Sequence, residues 1–160
     1  MAITPYLLYR DAGAAMAWLA KAFGLRKSGR SNWDAAGRVT HAEMRLGDAL
    51  LMLGSPGADF RGPKLLGHAT QNLYVDIANV DKHYARAVKA GARIVEEPKD
   101  TFYGARRYGA EDLEGHVWYF AQALRAEPKR AKGKARRKAT PAGNAPGAKA
   151  KKRGKRSSRN

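Results

Sequence analysis

His41 and Glu43 are the first residues in this chain whose types and spacing could do chemistry. Two apart on a strand, they project to the same face. Imidazole titrates near neutrality and a carboxylate beside it can orient it, so the pair could move protons or clamp a polar or cationic group. The same pair suits better a plain polar strand face wetted by solvent, with a local His–Glu hydrogen bond, because a lone H-x-E on a strand is a weak signal. It is not the H-E-x-x-H helix of zinc proteases. His68 and His116 fall in linker or turn positions and His83 on the outer side of a helix; all three are expected to be solvated. The 160 residues contain no cysteine, which excludes disulfides, thiolate metal sites and a cysteine nucleophile.

The strand carrying the pair is fixed by its turn. Gly47-Asp48 is a two-residue hairpin signal that sets Leu46 against Ala49, Arg45 against Leu50 and Glu43 against Met52. Alternation then places His41, Glu43, Arg45, Leu50 and Met52 on a polar face. Ala42, Met44, Leu46, Leu51 and Leu53 form an apolar face meant for a helix. That helix starts at the capping residue Asp11, buries Met16, Leu19, Ala20 and Phe23, and ends at Gly24. A strand over Ile3–Tyr9 precedes it and another, from about Arg26 to Ser31, follows. Trp33, in a polar loop, could close over a cleft or cap the sheet.

After a Gly- and Pro-containing linker, 54–69, the order recurs. A strand over Gln71–Ile77 leads to a helix over Asp81–Ala90 with Val80, Tyr84 and Val88 on one side. Strands over Ala92–Glu96, Ala105–Glu111 and His116–Gln122 follow, the last two joined at Leu113-Glu114-Gly115, with Trp118 in the core. Gly24 and Gly91 lie 67 residues apart, as do Gly37 and Gly104. The expected fold is α+β, two tandem βαβββ modules of about 1–56 and 68–126. A single such sheet with one helix leaves a bare face, so the two must pair around a shared cleft lined by matched positions.

Several stretches, taken in order, resemble a known family. They are Tyr9-Arg10-Asp11, Ala22-Phe23-Gly24, Thr40 to Asp48, Leu51-Met52-Leu53-Gly54, Gln71 to Val75, Tyr103-Gly104-Ala105-Arg106 and Asp112 to Trp118. Over Ile3 to Gln122 the chain resembles the vicinal-oxygen-chelate superfamily, the glyoxalase, bleomycin-resistance and dioxygenase-like group, and within it a poorly characterised glyoxalase-like branch. The resemblance implies the glyoxalase/bleomycin-resistance fold, with an open barrel-like cleft often completed in a homodimer. It also implies that metal-dependent members take two ligands per module, from its first and last strands. Carried over residue by residue, these positions are Thr4, Met52, Gln71 and Tyr119, with Pro5 or Asn72 entering if the register shifts by one.

None of the four is the His or Glu that those members use, and hard or borderline divalent ions need carboxylates or imidazoles. Glu43, across from Met52, is the one carboxylate that could stand in. No metal and no cofactor are therefore expected. The reading is a metal-free module binding a small molecule in the inter-module cleft, with His41, Glu43, Met52, Tyr119, Thr4 and Gln71 as ligand contacts. His41, Glu43, Met52 and Tyr119 should face one cavity, and Tyr6 or Tyr74 and Trp33 would add aromatic area. The alternative is a metal-dependent lyase, isomerase or dioxygenase with an ion at His41 and Glu43.

Charge separates the domain, 1–126, from a tail, 127–160. All 14 acidic residues lie at or before Glu127, whereas 129–160 hold 14 of the 31 Lys and Arg residues. That leaves 17 basic against 14 acidic residues in 1–128, a net +3 out of +17. The basic tail has no apolar group larger than alanine and is expected to be disordered. Its cations are Lys129, Arg130, Lys132, Lys134, Arg136, Arg137 and Lys138, then Lys149, Lys151, Lys152, Arg153, Lys155, Arg156 and Arg159. At this density non-specific nucleic-acid binding is expected, and without interleaved aromatics no base stacking; a solubilising extension is the alternative. No basic leader with an apolar run is visible, and no stretch approaches the ~20 apolar residues of a membrane span, so a soluble cytoplasmic protein without a membrane partner is expected.

Overall fold

A computed structural model describes residues 3–124. The expectations placed on the basic tail fall outside them. The first module runs β1 (Tyr6–Leu8), α1 (Ala12–Ala22), β2 (Arg26–Trp33), β3 (Val39–Leu46) and β4 (Ala49–Gly54). A short helix, α2 (Pro63–Leu66), interrupts the linker. The second module runs β5 (Asn72–Asp76), α3 (Val80–Lys89), β6 (Arg93–Asp100), β7 (Ala105–Glu111) and β8 (Val117–Ala123). Each module closes a four-stranded sheet, in the orders β1-β4-β3-β2 and β5-β8-β7-β6. The α+β architecture of two tandem βαβββ modules is the one expected. No helix of the described residues is long and apolar enough to cross a membrane.

The β3–β4 hairpin has the register its turn dictates: Leu46 opposes Ala49, Arg45 opposes Leu50 and Glu43 opposes Met52. Ala42, Met44, Leu51 and Leu53 are buried on the helix side. Asp11 caps α1, its carboxylate accepting from Ala14 N at 2.9 Å. In α3 the inward stripe differs from the expected one. Val80 and Ala87 are buried and Tyr84 packs against them, but Val88 is 46% exposed. Spacing of i, i+4 and i+7 keeps one helical face, whereas a second step of four, to i+8, drifts off it. The strand β6 runs through Pro98 to Asp100, well past Glu96, because an edge strand tolerates a missing N–H. Two register shifts accommodate it.

The helix sides of both sheets share one core. Phe23, at the end of α1, meets Trp118 and Phe120 of β8 with ring centroids 5.4 and 4.8 Å apart. Both modules therefore turn their helices toward each other and their other sheet faces outward.

Module two grips both ends of α1. The Glu114 carboxylate accepts from Arg10 N at 2.8 Å and from Asp11 N at 3.2 Å. At the other end Arg86 donates to the Lys21 and Ala20 carbonyls at 2.8 and 2.7 Å. An anion at the N-terminus and a cation at the C-terminus both suit the helix dipole. Beneath this contact Asp112, 7% exposed, accepts from Tyr9 Oη at 2.7 Å, Trp118 Nε1 at 3.1 Å and His116 N at 3.0 Å.

Two histidines expected in solvent are structural. His116 is 7% exposed, with Nδ1 3.2 Å from Asp112 Oδ1. His83 bridges the modules, with Nδ1 2.6 Å from Tyr108 Oη and Nε2 2.9 Å from the Phe23 carbonyl. Both were misplaced because their burial comes from the partner module, which local pattern does not contain. His68 is exposed and Trp118 is in the core, as expected.

Candidate functional site

The outer face of the first sheet carries Tyr6 and Leu8 from β1, His41, Glu43 and Arg45 from β3, and Leu50 and Met52 from β4. The Tyr6 hydroxyl lies 3.1 Å from His41 Nδ1, and His41 Nε2 lies 3.7 Å from Glu43 Oε1. The ring is thus held between a phenol and a carboxylate. Two glycines make room for this row. A side chain at Gly54 would strike the Thr40 carbonyl and lie 2.9 Å from the Tyr6 hydroxyl. Gly29, at φ +59°, takes a left-handed conformation that only glycine adopts freely, and any side chain there would collide with the Glu43 carboxylate.

The outer face of the second sheet differs in chemistry at matched positions. Tyr74 pairs with Tyr119 as Tyr6 pairs with Met52. Gly109 opposes Tyr119 as Glu43 opposes Met52, so Arg107 stands where His41 stands. The Arg107 guanidinium lies 4.5 Å from the Tyr119 ring centroid and donates to both Glu96 oxygens, at 2.8 and 2.9 Å. A side chain at Gly109 would meet the Tyr119 ring at 2.8 Å. The Arg107 hydrogen bonds hold the Glu96 carboxyl below its ordinary range. Burial first, then a hydrogen bond to Tyr103, pushes Tyr74 up to about 12, and the Tyr74 contact lowers Tyr103. Arg107, Glu96 and Tyr103 were not anticipated. Alternation along β7 from Gly109 would have placed Arg107 on this face.

The six expected contacts are therefore divided. His41, Glu43 and Met52 share one outer face, Thr4 lies just ahead of β1, and Tyr119 belongs to the other sheet. Within one chain they do not line a common cavity, because each module spends its helix side on the shared core. A hollow of about 680 Å³ between the β3–β4 tip and β5 takes Leu50 and Tyr74 from the edges of the two faces, with Ile3, Leu46, Leu73 and Trp118, but none of the six. Gln71 precedes β5, and Asn72, opposite Val117, takes the place equivalent to Thr4. Trp33 ends β2, 54% exposed, with Lys27 Nζ 5.1 Å from its ring centroid.

The first- and last-strand positions thus hold Thr4, Met52, Asn72 and Tyr119. None offers a carboxylate or imidazole, so they do not fit the divalent ion of metal-dependent relatives. Among the described residues no group of three or more His, Asp or Glu side chains is arranged to hold a metal.

Paired βαβββ modules with open outer faces define a class, and comparison with known proteins agrees with it. The chain belongs to the Glyoxalase/Bleomycin resistance protein/Dioxygenase superfamily, which it matches over residues 3–120. It is 33% identical to TioX from Micromonospora sp. ML1, with 78% of this chain and 99% of TioX covered and a TM-score of 0.63. An uncharacterized protein of Mycobacterium tuberculosis (strain ATCC 25618 / H37Rv) is 30% identical over 129 residues, 78% of this chain and 75% of that protein. The fosfomycin resistance protein FosX from Mesorhizobium loti shares the fold at 16% identity and a TM-score of 0.54, over 77% of this chain and 91% of FosX.

Proposed function

We propose that the folded domain is a metal-free small-molecule binding module, and that the basic tail binds polyanions. The observation that carries the first part is the donor set: Thr4, Met52, Asn72 and Tyr119 stand where metal-dependent relatives place their ligands. What the two faces offer instead is aromatic and polarizable area, from Tyr6, Met52, Tyr74 and Tyr119, beside the carboxylates of Glu43 and Glu96. Such a surface favours a flat or cationic molecule, through cation–π contact and burial. A second copy of the chain would supply the opposing face, giving a homodimer with two composite clefts. The domain is thus assigned no metal-dependent lyase, isomerase or dioxygenase chemistry.

The test is elemental analysis beside titration with a planar cationic dye. No stoichiometric metal is expected, and dye affinity should fall about 3- to 10-fold in Glu43→Gln, the scale of one desolvated cation contact. About one divalent ion per chain, lost in Glu43→Ala, would establish the metal-dependent alternative.

The tail's contribution rests on composition: 14 Lys and Arg and no acidic residue in 129–160. Counterion release then drives binding to phosphate backbones without sequence preference.

A further inference from the structure

Two arginines stand face to face across β2 and β3. Arg26 is directly opposite Arg45 in the antiparallel register, and both are exposed. Like charges at opposed positions repel. Neither side chain forms an ion pair among the described residues. Arg45 is nevertheless held in place: Nε donates to Ser28 Oγ at 3.2 Å and Nη1 to the Asp48 carbonyl at 3.1 Å. Both acceptors are uncharged, so the guanidinium is positioned without being neutralised. Other arginines are neutralised: Arg38 pairs with Asp34, Arg93 with Glu111, Arg106 with Asp81 and Asp100, and Arg107 with Glu96.

A hollow of about 510 Å³ opens at this point, lined by Gly24, Arg26, Lys27, Ser28, Arg45, Leu46 and Gly47, with no carboxylate among them. Across the Leu46-Gly47 wall a second hollow, of about 500 Å³, carries Lys82 and Arg86 with a single acid, Asp76. Arg86 too is fixed by carbonyls alone. Un-neutralised cations are thus gathered around one turn of the domain.

We propose that Arg26 and Arg45 form an oxyanion site that takes a phosphate group. A tetrahedral anion between two guanidinium forks replaces one repulsion with two charge-assisted contacts, and arginine suits that geometry better than lysine. The same chemistry serves a free phosphate-bearing molecule or the backbone of a nucleic acid.

The experiment uses the full chain in two arms at constant ionic strength: inorganic phosphate, and a short DNA duplex. It follows the Ser28 and Gly47 amide resonances, with Arg26→Glu as the variant. Arg26 makes no side-chain hydrogen bond within the described residues, so Arg26→Glu keeps the fold and places opposite charges across the strands. Saturable shifts that vanish in Arg26→Glu are expected. Saturation by inorganic phosphate points to a free phosphate-bearing ligand, and a response to duplex alone points to a backbone. No shift in either arm, or shifts of equal size in Arg26→Glu, would overturn the site.

Discussion

At the scale of single residues, the strongest dependence falls on Asp112. Its carboxylate gathers Tyr9 Oη, Trp118 Nε1 and the backbone N–H groups of Glu114 and His116. Burial pushes its pKa up, but the hydrogen bond and charge of His116, with Tyr9 and Trp118, bring it below the ordinary value. Asp112→Ala strands four donors, and the loss should be on the order of 3 kcal/mol in denaturant unfolding. Because the folded pKa is the lower one, the stabilisation is present above the unfolded value of about 3.9 and disappears as pH falls through the folded value. Melts of Asp112→Asn should therefore lose part of the acid-side slope seen in the unaltered protein.

His83 titrates in the opposite sense from a salt-bridged histidine. Tyr108, whose own pKa burial raises, donates to Nδ1, and Nε2–H donates to the Phe23 carbonyl. Burial lowers the His83 pKa, the Phe23 carbonyl opposes that, and Arg86 adds to it. Lys82 and Asp76 face the same hollow. Unfolded His83 takes a proton near pH 6.5 and folded His83 only below that, so stability declines as pH falls through this window. In His83→Phe that part of the pH dependence should vanish from thermal melts, at a general cost of about 1–3 kcal/mol for the stranded partners.

Among the elements, α1 shows what a local pattern can and cannot carry. Its Asp11 cap and its Gly24 stop are written within one short stretch of chain and were legible. Of the expected stripe Leu19 and Phe23 are buried, whereas Met16 and Ala20 are half-buried beside Ala12, Ala15 and Ala22. The β3–β4 register was legible too, since a two-residue turn leaves no slack. The pairing of β5 with β8 has no such turn between the strands. The helix α3 is one residue shorter than α1, 10 against 11, so the spacing of 67 that relates Gly24 to Gly91 becomes 68 ahead of the helices, where Tyr6 matches Tyr74, and Asn72 rather than Gln71 matches Thr4. The grip of Glu114 and Arg86 on the two ends of α1 was invisible because it joins residues of different modules. Glu114→Ala and Arg86→Ala should each cost about 1–2 kcal/mol. Amide exchange should quicken first in the terminal turns of α1 rather than in β3 or β4. On the site itself, Gly29→Ala should leave the core intact and displace the Glu43 carboxylate, so dye affinity would fall while the core strands keep their protection.

For the whole molecule, the two outer faces pose a question that one chain does not answer. Alternation made both faces legible, but not their direction, because only the packing of α1 against α3 sends them outward. The proposed dimer resolves this by placing module one of one copy against module two of the other, and that arrangement makes a specific prediction. Glu43→Ala removes the carboxylate from the module-one face, and Tyr119→Ala removes the ring from the module-two face. Each homodimer then has two damaged clefts and should bind the dye weakly. In a mixed dimer, one cleft receives both substitutions and the other receives neither. Unfolding and refolding the two variants together in equal amounts should therefore restore sites of full affinity, one per mixed dimer, seen as a high-affinity fraction in the titration. If each cleft were built within one chain, mixing would restore nothing, and the titration would remain the average of the two variants.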